Sequence, residues 1–190
     1  EYRAKDDLKI KDKDLKALRS IGITAAHVVP EKGIFKGKSD LVVLNKENVS
    51  ISKDLAQVLT FKTGGWGEPY PNSLLGIIAF IRQSLYDAEW YGKSTAIVEK
   101  YPDENEPIPL NPGLAALEEF RSNRRPMLFM TREEHGALRA LNISREFNLN
   151  PWILSSGYEY RRLDDIAKLK PFIIFPLEFP AKPKVTDPYI

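Results

Sequence analysis

The stretch from Pro126 to Phe175, PMLFMTREEHGALRALNISREFNLNPWILSSGYEYRRLDDIAKLKPFIIF, decides the fold. Met127 to Met130 is a short apolar run of strand type. Arg132 to Phe147 has helical spacing, with Leu138 and Leu141 on its inward side. Trp152 to Leu154 predicts a second strand, Tyr158 to Leu169 a helix, and Phe172 to Phe175 a third strand. Strand, helix, strand, helix, strand with short connections is the pattern of parallel β/α units. The strands show little polar alternation, which implies burial between layers.

Upstream the pattern is less regular. Residues 1–12 alternate Lys and Asp and read as a solvated lead-in. Lys13 to Ser20, with Leu15 and Leu18 three apart, predicts a short helix that Gly22 ends. Ile23 to Val29, closed by Pro30, predicts a strand buried on both faces. Leu41 to Leu44 predicts another, and Val49 to Ile51 a short pairing strand. After the loop Gly64 to Pro69, Asn72 or Ser73 can cap a long helix reaching about Tyr91. Its apolar positions Leu74, Ile77, Ile78, Ile81, Leu85 and Trp90 read as a core stripe. Tyr101 to Pro112 holds Pro102, Pro107, Pro109 and Pro112 and predicts an irregular connection. Leu114 to Phe120 predicts a further short helix, and 176–190 is a proline-rich tail. The expected organisation is a single partial domain over 1–190. Four candidate parallel strands are too few to close an eight-stranded barrel. Two α/β architectures remain: parallel β/α units forming part of a TIM-like (β/α)8 barrel, or a small open doubly wound sheet.

Composition bounds the chemistry. Of the 190 residues 43% are hydrophobic, enough for a real core, and the net charge is only +2. Lysines and arginines lie scattered among acids, which argues against a nucleic-acid surface. The chain has no cysteine, so disulfides, thiolate nucleophiles and Cys-based zinc sites are excluded. A soluble protein of either the cytoplasm or the periplasm is expected. No apolar run approaches the roughly 20 residues of a membrane span. The opening Glu1-Tyr2-Arg3 is not a signal peptide, and the sequence reads as an internal start.

Two histidines limit what can be proposed. His27, inside the Thr24 to Val29 run, is a weak candidate for metal ligand or general base; its plainer reading is a satisfied interior histidine. His135, in the first turn of a helix, could face an active-site mouth, because βα loops build such sites in barrels. A capping or surface role is its plainer reading. No His-x-His or His-Glu-x-x-His is present, which disfavours a histidine-rich zinc site. Asp164-Asp165 reads as a helix-surface acidic pair, and Arg82 and Gln83 as structural hydrogen-bonding groups. Gly64-Gly65-Trp66-Gly67 looks superficially like a phosphate loop but lacks the Lys-Ser/Thr ending and the strand-loop-helix spacing. Trp66, Tyr70 and Trp90 form a candidate aromatic ligand wall, with ordinary packing as the plainer reading.

Several phrases in order resemble the imidazolonepropionase-like branch of the amidohydrolase superfamily. They are Ala17-Leu18-Arg19-Ser20-Ile21-Gly22-Ile23-Thr24-Ala25, Gly33-Ile34-Phe35-Lys36-Gly37-Lys38-Ser39 and Tyr70-Pro71-Asn72-Ser73-Leu74-Leu75-Gly76. Ile81-Arg82-Gln83, Tyr86-Asp87-Ala88-Glu89-Trp90-Tyr91 and the pattern from Pro126 through Gly157 to the proline-rich end continue the likeness. The resemblance implies a metal-dependent barrel that hydrolyses C–N bonds. Its metal ligands are a His-x-His on the first strand, histidines on the fifth and sixth, and an aspartate on the eighth. Such ligands hold the cation and leave a position for water, whose pKa the metal lowers. By the same resemblance this sequence begins after the first-strand pair and ends before the last aspartate. Met130 stands at the fifth-strand histidine position and Ser156 at the sixth, and neither is a competent ligand in that role. His135 matches a retained histidine after the fifth strand rather than a ligand.

The expectation is therefore a domain without its own metal or other cofactor, a non-catalytic part of a larger C–N hydrolase, with zinc belonging to the parent protein. Its partner would be the remainder of the parent chain or another copy of itself. One alternative is half of an active metal-dependent amidohydrolase completed by segments outside this chain. Another is a non-catalytic module for small ligands.

Overall fold

A computed structural model describes residues 8–45, 50–62 and 71–176. Its elements run α1 (Asp12–Ser20), β1 (Ala25–Val28), β2 (Phe35–Val43), β3 (Ser50–Thr60), α2 (Leu74–Lys100), α3 (Pro112–Ser122), β4 (Pro126–Met130), α4 (Glu134–Glu146), β5 (Asn150–Leu154), α5 (Leu163–Ala167) and β6 (Phe172–Ile174). The strands form one six-stranded sheet in sequence order. β1, β2 and β3 are an antiparallel meander, and β3, β4, β5 and β6 are parallel. The mostly parallel sheet is curled into part of a TIM-like barrel, so of the two expected architectures the partial barrel holds. Right-handed β/α crossovers place the helices on one face of such a sheet.

Capped helix ends turn the chain into the segments that follow. Helix α1 ends at Gly22 (φ 90°), where the Ile23 amide donates to Leu18 O at 3.1 Å. Helix α4 ends at Asn148 (φ 54°), where the Leu149 amide donates to Ser144 O at 2.8 Å. Both are Schellman closures, with the residue best able to take left-handed backbone at the turn. The second one buries Leu149 and aims β5 into the sheet. Ser73 caps α2 by accepting from the Gly76 amide at 3.1 Å, and Asn111 caps α3 by accepting from the Leu114 amide at 3.1 Å.

The two faces of the sheet have different partners. Leu59, Met127, Phe129 and Ile153 meet Ile77, Ile81, Leu85 and Ala88 of α2, Leu117 and Phe120 of α3, and Ala137, Ala140, Leu141 and Ile143 of α4. This is the main core, between sheet and helices. Ala56, Val58 and Leu128 form a second cluster on the opposite, concave face with Val29, Met130, Trp152, Leu154 and Ile174. Parallel pairing lines these residues up: Val58, Leu128, Trp152 and Phe172 make one rung, and Thr60, Met130, Leu154 and Ile174 the next.

Several expectations from sequence need correction. The run Ile23 to Val29 yields only a four-residue edge strand, half-buried throughout and antiparallel to β2, with Ile23 exposed before it. Leu41 to Leu44 is the end of a nine-residue strand that starts at Phe35. The short pairing strand around Ile51 is the start of an eleven-residue strand; Val49 lies outside the described residues. Helix α2 continues to Lys100, and its core stripe passes from Leu85 to Ala88 and Tyr91, leaving Trp90 exposed. The expected helix Tyr158 to Leu169 is a 3-10 turn over Glu159–Arg162 followed by the short α5. The phosphate-loop-like segment around Gly65 also lies outside the described residues. Among those described, no helix is long and apolar enough to cross a membrane.

Candidate functional site

The C-terminal ends of β3, β4, β5 and β6 define a mouth, the end of a parallel barrel where βα loops place chemistry. Thr60, Met130, Leu154 and Ile174 are its last rung. Hydrogen bonds then stitch the strand ends together. Thr131 Oγ1 donates to Leu154 O at 2.8 Å, and the Ser155 amide donates to Ile174 O at 2.9 Å. The Lys62 amide donates to Thr60 Oγ1 at 3.2 Å. A cavity of about 220 Å³ opens beside this rung, lined by Phe61, Lys62, Leu74, Met130, Thr131 and Arg132, among others.

Met130 offers a thioether, half-buried among the apolar residues of the concave face. Ser156 is held in a carboxylate cradle. Its amide donates to Glu159 Oε1 at 2.8 Å and its hydroxyl to the same oxygen at 3.0 Å. Ser155 Oγ donates to Glu159 Oε2 at 2.5 Å, and the Gly157 amide to that oxygen at 3.0 Å. Burial pushes the Glu159 carboxyl pKa up, but the bonds from Ser155 and Ser156 outweigh it and hold the group below its ordinary range. The Glu159 charge therefore closes the loop on itself. This cradle escaped the sequence reading, although Ser156-x-x-Glu159 has the spacing of a capping box.

Of the remaining candidates, His27 and Trp90 lie away from the mouth, whereas His135 follows β4 in the turn whose Glu133 and Gly136 line the mouth cavity. His27 sits on β1, three strands from β4 and about 14 Å away along the sheet at ordinary strand spacing. Its Nε2 lies 2.8 Å from Ser39 Oγ, which also bonds both the carbonyl and the amide of Ala56. Burial lowers the His27 pKa against the opposing charge of Asp40, so the ring is held neutral. His135 is in the first turn of α4 with Nδ1 3.4 Å from Glu134 Oε1. Trp90 lies sixteen residues along α2 from Leu74 at the mouth, about 24 Å at the helical rise. Trp66 and Tyr70 lie outside the described residues. Asp165 is taken up by Arg162 and Lys168, and Arg82 donates to Glu146 at 2.7 Å.

A catalytic zinc of the kind the resemblance implies does not fit this donor set. Met130 supplies no imidazole or carboxylate, and the Ser156 hydroxyl is engaged with Glu159. Among the described residues, no three His, Cys, Asp or Glu side chains stand together as a ligand group. Zinc prefers imidazole, thiolate or carboxylate.

No family model and no curated protein matches the sequence. The fold, however, superposes on the crystal structure of an amidohydrolase from Thermotoga maritima MSB8 with a TM-score of 0.80 and 18% identity. The match covers 95% of this chain and 50% of that one, so the chain spans about half the length of the solved structure it resembles. At that identity the likeness shows the fold alone, part of a TIM-like barrel.

Proposed function

We propose that this chain is a catalytically silent amidohydrolase-like domain of the imidazolonepropionase-like branch, serving as a non-catalytic part of a larger C–N hydrolase. The observation that carries this reading is at the C-terminal ends of β4 and β5. Met130 stands where the resemblance places one metal-ligating histidine, and Ser156, where it places the other, is bound to Glu159. The role left to such a domain is scaffolding. On its concave face the apolar residues Val29, Met130, Trp152, Leu154 and Ile174 are only partly buried, and Phe172 on the last strand is 56% exposed. Among the described residues β1 and β6 are the edge strands of the sheet, and unpaired strand edges invite pairing. The remainder of the parent chain is the partner this surface suits, with a second copy as the alternative.

Metal analysis of the intact protein and of its His27→Ala and His135→Ala variants tests the proposal. Any zinc bound elsewhere in the protein should stay unchanged in both variants. Near-stoichiometric zinc lost with either histidine would replace this reading with the active half-barrel.

A further inference from the structure

The cavity of about 220 Å³ at the mouth is bordered by positive charge. Lys62 follows β3, Arg132 follows β4, and Arg139 lies in the second turn of α4; all three line it. Among the described residues its lining holds one carboxylate, Glu133, and Arg139 takes that up at 2.6 Å. Lys62 and Arg132, both exposed, pair with no carboxylate among the described residues. Lys36, near the start of β2 and beside the end of β3, feels both of them. Burial first, then the Lys62 charge with a smaller share from Arg132, lowers its pKa against the attraction of Glu31. Like charges gathered at a concave surface make a region of positive potential. The start of α4 adds to it. Glu133, at its N-cap, gives no side-chain cap, which leaves the Glu134 and His135 amides without an acceptor inside the helix. Phe61, Leu74 and Met130 supply an apolar side. The volume is below the roughly 300–1,000 Å³ of drug-sized pockets, so it suits a compact group.

We propose that this cavity binds a phosphoryl dianion, free or as a small phosphate ester, between Lys62, Arg132 and the first turn of α4. The two cations match a dianion in charge, whereas a carboxylate monoanion would leave one of them unanswered. The Arg132 guanidinium suits two phosphoryl oxygens at once, and the Lys62 ammonium a third as a point charge. Amides at a helix start favour phosphate through both their donors and the helix dipole. The organic part of an ester would lie on Phe61, Leu74 and Met130. The inference rests on the metal-free reading of the mouth, since cations of the chain itself hold the anion.

The test titrates phenyl phosphate, inorganic phosphate and benzoate calorimetrically into the intact protein with EDTA present. The pH is about 8, where the phosphoryl group carries both charges. Saturable phosphate binding is expected, at least tenfold tighter than benzoate. Tighter binding of phenyl phosphate than of inorganic phosphate identifies an ester as the ligand; equal or tighter binding of inorganic phosphate identifies the free ion. Lys62→Met and Arg132→Met, at exposed positions, should each weaken binding about tenfold with unchanged circular dichroism. Lys93→Met, which removes the same charge from far along α2, should leave it unchanged. No saturable binding with EDTA or with zinc overturns this inference alone. Binding that appears only when zinc replaces EDTA overturns the metal-free reading with it. Benzoate as tight as phosphate, wild-type affinity in either mouth variant, or an equal loss in Lys93→Met also overturns it.

Discussion

Replacing Glu159 with Gln isolates the cradle that engages Ser156. The carboxylate is 4% exposed and accepts four hydrogen bonds, two from backbone amides and two from hydroxyls, between 2.5 and 3.0 Å. Gln keeps the shape, but removes the charge and turns one acceptor into a donor. That donor must face either the Gly157 amide or the Ser156 amide, and neither can reverse. Hydrogen bonds to a charged group contribute about 1.5–3 kcal/mol each, and a neutral bond about 1. Weakening the set and opposing one donor to another should cost about 2–4 kcal/mol at pH 7. The pH dependence gives the sharper signature. The folded carboxyl is held below its ordinary value of 4.5, so its stabilisation is complete above that value and is lost as pH falls through the folded pKa. Urea denaturation of both proteins at pH 7 and at acid pH should therefore show a gap that narrows on acidification. A gap under about 0.5 kcal/mol at pH 7, or one independent of pH, would refute the cradle as described.

Other consequences are measurable in the same way. Ile81→Ala, at a fully buried position of α2 in the main core, should cost about 2–5 kcal/mol in chemical denaturation. Ser73→Ala removes the cap on the Gly76 amide and should cost about 1 kcal/mol, whereas a loss near zero would show the cap to be redundant. A double-mutant cycle on the part-exposed Arg82–Glu146 pair should return a coupling below about 1 kcal/mol. The His27 ring should titrate below 6.5 by NMR; its folded pKa is depressed, so stability falls as pH drops below 6.5 and levels off once the folded ring protonates. Ser39→Ala, by removing the partner of Nε2, should shift that titration, and an unchanged value would contradict the contact.

The parallel half of the fold was legible because its signals are local. Apolar strands β4 and β5 flank a helix with clear periodicity, and asparagine ends that helix where left-handed backbone is needed. The antiparallel meander was harder to read, for a physical reason. Strands β2 and β3 carry Lys38, Asp40 and Gln57 in buried positions, which composition alone assigns to loops. Asp40 accepts from the Asp54 amide at 2.9 Å, and Lys38 pairs across strands with Asp54, so tertiary partners make these residues tolerable in a sheet. Trp90 was drawn into the core stripe by its apolar character, although five residues from Leu85 place it off the buried face. At the site, Met130 and Ser156 were identified by position within a resemblance. Glu159, which engages Ser156, was not singled out by it and required the turn geometry.

The most direct test of the proposal that the mouth holds no catalytic metal is a zinc-edge anomalous difference map from crystals of the intact protein grown with zinc. The account predicts no peak within ligand distance of Met130 Sδ or Ser156 Oγ, with Ser156 still bonded to Glu159. A peak at the end of β4 and β5, held by side chains of this chain, would contradict it.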